Sequence, residues 1–174
     1  PADSRETERF TTLVADKLTA TDRLLRECLA SDVPFIQKSG EYIFDGGGKR
    51  MRPALLLLCA RLLDRDGEEE VTYAAVVELI HTATLIHDDI IDHSALRRGR
   101  KTINELWGNN LTVLLGDWLY TTAMKMALRH GSVAILDRLC DATLRMNEGE
   151  LLTQKRLGAI DLTVAEYFEI IDRK

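Results

Sequence analysis

Apolar residues in this chain recur mostly at intervals of three and four, and prolines stand only at positions 1, 34 and 53. Both features predict an all-α protein. Phe10, Leu13, Val14, Leu18, Leu24, Leu25, Cys28 and Leu29 form an apolar stripe over residues 4–30. That stripe predicts an amphipathic helix, or a helix pair broken near Thr19–Asp22. Pro34 opens a short helix that runs through Phe44. The segment PALLLLCARLL from Pro53 is apolar on nearly all sides and is expected to be buried. After a polar loop from Asp64 to Glu70, a long helix begins near Thr72 and stops near His93. A basic connection broken by Gly99 follows. Next come a short helix over Thr102–Trp107 and a longer one over Leu111–Arg129, closed by Gly131. Ser132 caps another helix that reaches about Leu157, and Thr163 starts the last. No repeat, low-complexity tract or linker interrupts the pattern, so residues 1–174 read as a single domain.

The long helix ends in HTATLIHDDIID, His81 to Asp92. Asp88 and Asp92 stand at i and i+4 and share a face, with His81 and Thr84 on the same stripe. Asp89 lies about a quarter-turn round, close enough to share a cation or bind a second. Three like charges within five residues repel, so cations are expected nearby. All-oxygen ligands favour Mg²⁺, with Mn²⁺ as the alternative, over zinc or copper. The plain alternative is an acidic helix end solvated by water.

Two basic segments flank this helix in sequence. GGGKRMRP places Lys49, Arg50 and Arg52 at the amino end of a helix, where backbone N–H groups and the dipole favour an anion. It is not a Walker phosphate loop, because position 43 is Ile and Lys49 is followed by Arg. Arg97, Arg98, Arg100 and Lys101 follow the aspartates directly. Carboxylates for divalent cations beside two basic clusters suit two diphosphorylated substrates, one bridged through metal and one held by direct salt links.

Composition narrows the setting. At 174 residues, 45% hydrophobic and 29% charged, the chain is ordinary for one soluble domain. A net charge of −5 excludes broad nucleic-acid binding. Cys28, Cys59 and Cys140 are odd in number and widely spaced, and they are expected as buried thiols in a reducing compartment. No signal peptide and no apolar run near the ~20 residues that span a bilayer are present. A cytoplasmic protein is expected.

GGGKRMRP, LIHDDIID, RRGRKT, LLGDWLY and EGELLTQ, in this order and spacing, resemble the trans-isoprenyl diphosphate synthase (polyprenyl synthetase) family. The resemblance covers essentially the whole chain and implies an antiparallel helical bundle of the isoprenoid synthase type. It implies that Asp88 and Asp92, supported by Asp89, bind Mg²⁺ and through it the allylic diphosphate, which Arg97 also touches. Lys49, Arg52, His81 and Arg98 would hold isopentenyl diphosphate. Gln154 looks like the family glutamine on the facing helix, and Lys174 like the lysine of its Lys-Thr-Ala motif. Asp117, Trp118 and Tyr120 read as packing or interface residues. The implied chemistry is Mg-assisted ionisation, condensation and elimination by a prenyltransferase that works as a homodimer. Its product could draw it to membranes, but no membrane span is expected.

By the same resemblance, Thr84 and Ala83 form the floor beneath the growing chain. Both are small, and short-chain synthases tend to carry an aromatic there. The two-residue spacing inside DDIID points the same way, to a medium- or long-chain all-trans product. Family members are roughly twice this length and carry a second aspartate-rich motif, so this chain is expected to represent the N-terminal half of its enzyme. Alternatives are a non-catalytic subunit of a heteromeric synthase and a short-chain farnesyl or geranylgeranyl synthase. For His81 the plain alternative is a packed core histidine; for Gln154, Glu148 and Glu150 it is an exposed helix face. A terpene cyclase fits less well, because that class lacks the GGGKRMRP segment.

Overall fold

The computed structural model describes residues 10–174. They form two compact units, one ending at His130 and the other Gly131–Lys174. In the first unit α1 (Ala15–Glu27), α2 (Pro34–Asp45), α3 (Met51–Leu62) and α4 (Glu69–Ile91) come in succession. A ribbon of β1 (Leu96–Arg97) and β2 (Arg100–Lys101) follows, then α5 (Ile103–Trp107), α6 (Asn109–Ala127) and a 3₁₀ turn, Leu128–His130. The second unit holds α7 (Val133–Arg156) and α8 (Val164–Arg173). The all-α expectation is met, with the short ribbon as an addition.

The first helix is continuous where a break was expected. Thr19 and Thr21 donate their hydroxyls to the carbonyls of Ala15 (3.0 Å) and Lys17 (2.7 Å), so their polar groups are satisfied inside the helix. The irregularity sits instead at Leu13–Val14, where the N–H groups bond back three residues to Phe10 and Thr11. Residues 4–9 of the expected stripe lie outside the described residues.

Helix α4 is the axis of the first unit. Ala74, Ala75, Val76 and Leu79 are fully buried, as are Leu115, Leu119 and Ala123 of α6, Leu57 of α3 and Leu25 of α1, the helices that pack on α4. The small residues on α4 let its neighbours approach. At the α4–α6 crossing, a Cβ on Gly116 would lie 2.2 Å from Nε2 of His87, so only glycine admits that ring. The helix starts earlier than the sequence suggests because Glu70 is a buried anchor. Its carboxylate accepts the Gly67 N–H at 2.6 Å and pairs with Arg65 and Lys17.

The expectation of a buried third helix needs correcting. Pro53, Ala54 and Leu57 are buried, but Leu55, Leu62 and Leu63 are 65%, 83% and 72% exposed. Its inner side packs on α4 and α1, and its outer side is exposed among the described residues of the first unit. Cys59 lies exposed on this outer side, while Cys28 and Cys140 are half-buried; all three are free thiols, not the three buried ones expected. Burial pushes the Cys28 thiol up to about 11.

In the second unit the caps are those expected. Ser132 accepts the Ile135 N–H at 3.4 Å, and Thr163 forms a capping box with Glu166. Helices α7 and α8 are joined by Arg145–Asp172 and Arg173–Glu148 ion pairs. Leu144, Leu151, Val164, Phe168 and Ile171 remain exposed. Among the described residues, no helix is long and apolar enough to cross a membrane.

Leu79 fills the centre of the α4 packing, so Leu79→Ala should lower unfolding stability by about 2–5 kcal/mol. A denaturation midpoint unchanged from wild type would show that α4 is not the axis of the core.

Candidate functional site

The glycine run leaves α2 as its helix ends, with the Gly46 and Gly47 N–H groups bonded to the carbonyls of Ile43 and Phe44. Crowding explains the glycine at position 48. A side chain there would come within 3.0 Å of Arg50 Nη1 and 3.4 Å of Arg98 Nη1. Arg50, the N-cap residue just before α3, is left-handed at φ 48°. Its Nε donates to Asp22 Oδ1 at 2.7 Å and its Nη1 to Glu78 Oε1 at 3.0 Å. Its guanidinium also lies 5.6 Å from the Phe44 ring centre. Lys49 and Arg52, on either side of it, are exposed.

The basic connection after the aspartates is a hairpin, where an irregular loop was expected. Leu96 pairs with Lys101 and Arg97 with Arg100. Arg98 and Gly99 form the turn at φ 52° and 75°, the two positive angles of a type I′ turn. This hairpin is fastened to the glycine run. Arg98 Nη1 donates to the Gly47 carbonyl at 2.9 Å, and Tyr42 Oη to the Lys101 carbonyl at 2.8 Å. The Arg100 guanidinium stacks 4.1 Å over the Tyr42 ring. Two basic segments some fifty residues apart in sequence therefore form one surface.

Facing them is the carboxyl end of α4. Asp88 is half-buried, Asp92 caps the helix in an exposed position, and Asp89 is buried. Asp89 Oδ1 accepts from Arg97 Nε at 2.8 Å. Burial pushes the Asp89 carboxyl up, and Arg97 opposes that shift. A cavity of about 120 Å³ lies between, lined by Glu78, His81, Asp89, Arg97 and Arg98 among others. His81 is half-buried, and its pKa falls to about 4 through burial and the charges of Arg52, Arg98 and Arg97. Its ring is neutral at neutral pH, in a field that three guanidiniums make positive.

The remaining predicted residues lie apart from this cavity or on the other unit. Ala83 is buried, and half-buried Thr84 donates its hydroxyl to the His81 carbonyl at 2.8 Å. Thr82, Leu85 and Ile86 line the cavity instead. Gln154 and Lys174 are exposed on the second unit. Both reach Glu150, from Gln154 Nε2 at 3.0 Å and Lys174 Nζ at 2.7 Å, and the lysine holds the Glu150 carboxyl below its usual range. Of the packing residues, Trp118 and Tyr120 are half-buried, and Asp117 is exposed beside His87 at 3.6 Å.

Sequence reasoning gave Glu78 and Tyr42 no site role, and it grouped Arg50 with Lys49 and Arg52 at an anion site, whereas in the structure Arg50 is bonded to Asp22 and Glu78. Glu78 had a visible signal: it is a charged residue inside an otherwise apolar stretch, three residues before His81.

Among the described residues, no three His, Cys, Asp or Glu side chains converge as a ready-made metal cage. What α4 offers is two carboxylates one turn apart at the negative end of a helix dipole. That donor set fits Mg²⁺, which keeps several waters and takes one or two carboxylates plus phosphate oxygens.

The polyprenyl synthetase family profile matches residues 33–174. The chain is 40% identical to the octaprenyl diphosphate synthase of Escherichia coli (strain K12), over 96% of this chain and 52% of that protein. It superposes on the crystal structure of a decaprenyl diphosphate synthase from Rhodobacter capsulatus with a TM-score of 0.93 and 37% identity, covering 97% of this chain and 52% of that one. A polyprenyl synthase from Caulobacter crescentus CB15, crystallised with calcium and isoprenyl diphosphate, gives the same TM-score and identity, covering 97% and 51%. These solved relatives share the helical fold of isoprenoid synthases. The chain belongs to the polyprenyl synthetase family. It spans about half the length of the curated relatives it matches.

The depressed pKa of His81 makes stability depend on pH. The unfolded chain takes up a proton near 6.5, whereas the folded chain resists until about 4. This contribution is therefore fully present above pH 6.5 and is lost as pH falls toward 4. His81→Gln should flatten the urea midpoint over that window relative to wild type. Parallel curves for the two proteins would refute the assignment.

Proposed function

We propose that the full-length protein is a prenyltransferase that condenses isopentenyl diphosphate with an allylic diphosphate to give a medium- or long-chain all-trans polyprenyl diphosphate. One observation carries this reading: a neutral, half-buried His81 ringed by the charges of Arg52, Arg97 and Arg98, directly beside the carboxylate end of α4. That is an anion site adjoining a cation site, as two diphosphates with different anchors require. The octaprenyl, nonaprenyl and solanesyl diphosphate synthases among its relatives support the product class.

Asp88 and Asp92 would hold Mg²⁺, with Asp89 as the buried carboxylate that fixes Arg97 beside them. When bound, Mg²⁺ supplies positive charge that stabilises a departing diphosphate. Arg97 faces the allylic diphosphate. Lys49, Arg52, His81 and Arg98 hold isopentenyl diphosphate, with the neutral imidazole of His81 available to donate one N–H. The allylic C–O bond breaks with its electron pair leaving on diphosphate. The isopentenyl double bond then attacks the allylic cation, a C–C bond forms, and the proton leaves to the released diphosphate. Apolar α4 side chains such as Leu85 and Ile86 keep water from the cation. By resemblance to the family, Gln154 and Lys174 would also contact diphosphate. The working enzyme is a homodimer in the cytoplasm, a compartment that suits three free thiols.

Full-length protein with Mg²⁺, farnesyl diphosphate and labelled isopentenyl diphosphate should give polyprenyl products, and EDTA should abolish turnover until Mg²⁺ is restored. Asp88→Asn or Asp92→Asn should lower kcat by a factor of at least about 100, as expected when a charge-stabilising group is lost. Turnover that survives both substitutions would exclude these aspartates as the metal ligands. No turnover by the intact protein would favour the non-catalytic subunit.

Chain length gives a separate test. Ala83→Phe should shorten the product, and an unchanged product length in a folded variant would remove position 83 from the floor of the chain site.

A further inference from the structure

We propose that Arg50 is a positioning residue, locked by Asp22 and Glu78, that sets the angle at which Lys49 and Arg52 face a diphosphate. The inference rests on the reading that Lys49, Arg52 and His81 hold isopentenyl diphosphate.

Three observations carry it. First, Arg50 sits at φ 48°, a conformation uncommon for a residue with a long side chain, and such a backbone persists only where its surroundings over-determine it. Second, those surroundings are two carboxylates: Nε donates to Asp22 on α1 at 2.7 Å, and Nη1 donates to Glu78 on α4 at 3.0 Å. The Arg50 and Glu78 side chains are only 16% and 9% exposed, and the guanidinium rests near Phe44 at the end of α2. One planar fork thus ties three helices to the corner where the glycine run becomes α3. Third, the charges divide. Two carboxylates already answer Arg50, so a further anion gains least there. Among the described residues, Lys49 and Arg52 form no ion pair.

Glu78 also lies three residues before His81 on the same helix, and both line the cavity. The carboxylate that fixes the loop is therefore carried by the element that presents the imidazole. Loop and histidine are held in register by one buried pair.

The test uses the full-length protein with Glu78→Gln, Arg50→Lys, the double variant and Asp22→Asn. Inorganic diphosphate binding is titrated by calorimetry without divalent cation, so that a metal-bridged site stays silent. Steady-state kinetics and amide exchange over residues 46–49 accompany it. Both inner substitutions should weaken inorganic diphosphate binding and raise KM for isopentenyl diphosphate about ten-fold, the scale typical of losing a group that orients a ligand-binding side chain. The allylic KM and kcat should hold, and exchange of the loop amides should quicken. The double variant should be no worse than the worse single one, because both break the same pair. Asp22→Asn, whose carboxylate is half-exposed, should shift the same quantities less.

A raised KM for Arg50→Lys with no change for Glu78→Gln would make Arg50 a direct ligand and overturn the proposal. A lowered Tm with unchanged diphosphate affinity would reduce the pair to a structural one and overturn it equally. If Glu78→Gln fails to fold, Asp22→Asn decides by the same readouts. Absence of turnover in wild type would sink the enzymatic reading, while the titration and exchange would still judge the positioning.

Discussion

A carboxylate buried in an apolar helix needs a cation beside it, and beyond the Glu70 anchor at its start α4 makes that demand twice, at Glu78 and at Asp89. Each is answered by an arginine from a different basic segment. Arg50, at the end of the glycine run, meets Glu78 at 3.0 Å; Arg97, on the hairpin, meets Asp89 at 2.8 Å. The magnitudes explain why these pairs matter and the surface ones do not. An exposed pair such as Arg23–Glu27 is worth under about 1 kcal/mol. Removing one partner of a buried pair strands the other, at a cost of about 3–5 kcal/mol in well-buried cases. Glu78 and Asp89 are therefore where the two segments are fixed against α4, and the cavity between them is a consequence.

The fixing brings the segments to each other as well as to the helix. Arg98 reaches the Gly47 carbonyl, Tyr42 reaches the Lys101 carbonyl, and Arg100 stacks on Tyr42. Each contact takes a backbone or aromatic acceptor and leaves carboxylates out. The charge of the hairpin is therefore not cancelled at its tip. The local field is positive although the protein's net charge is −5, and the proton affinity of His81, lowered first by burial, is depressed further by three arginines.

Much of the fold was legible because it follows from local rules. Gly131 is at φ 68° after the 3₁₀ turn, Ser132 and Thr163 cap the helices they precede, and Pro34 opens α2. The rest depended on partners that periodicity cannot see. Thr19 and Thr21 resemble helix breakers until their hydroxyls are given the i−4 carbonyls. The leucines of α3 mark surface that favours cover, and the described residues of the first unit cover one side only. The hairpin escaped notice because its strands are two residues each, and its turn is Arg-Gly rather than the commoner Asn-Gly. At the site, the spacing of the aspartates was readable, but the separate task of Asp89 was not. Its burial and the position of Arg97 distinguish it from Asp88 and Asp92.

That distinction reorganises how the charged motifs are understood. Read as strings, DDIID and GGGKRMRP are blocks of like charge, and every member has an equal claim on a ligand. In the folded chain each block splits. Asp89 and Arg50 are consumed by internal partners and define geometry. Asp92, Lys49 and Arg52 remain exposed, and among the described residues none of the three forms an ion pair. The two sorts of residue share each motif because one backbone element carries both. Helix α4 sets the aspartates a turn apart, where their mutual repulsion costs only about 0.2–0.5 kcal/mol. The corner that Arg50 occupies carries Lys49 and Arg52 on either side of it.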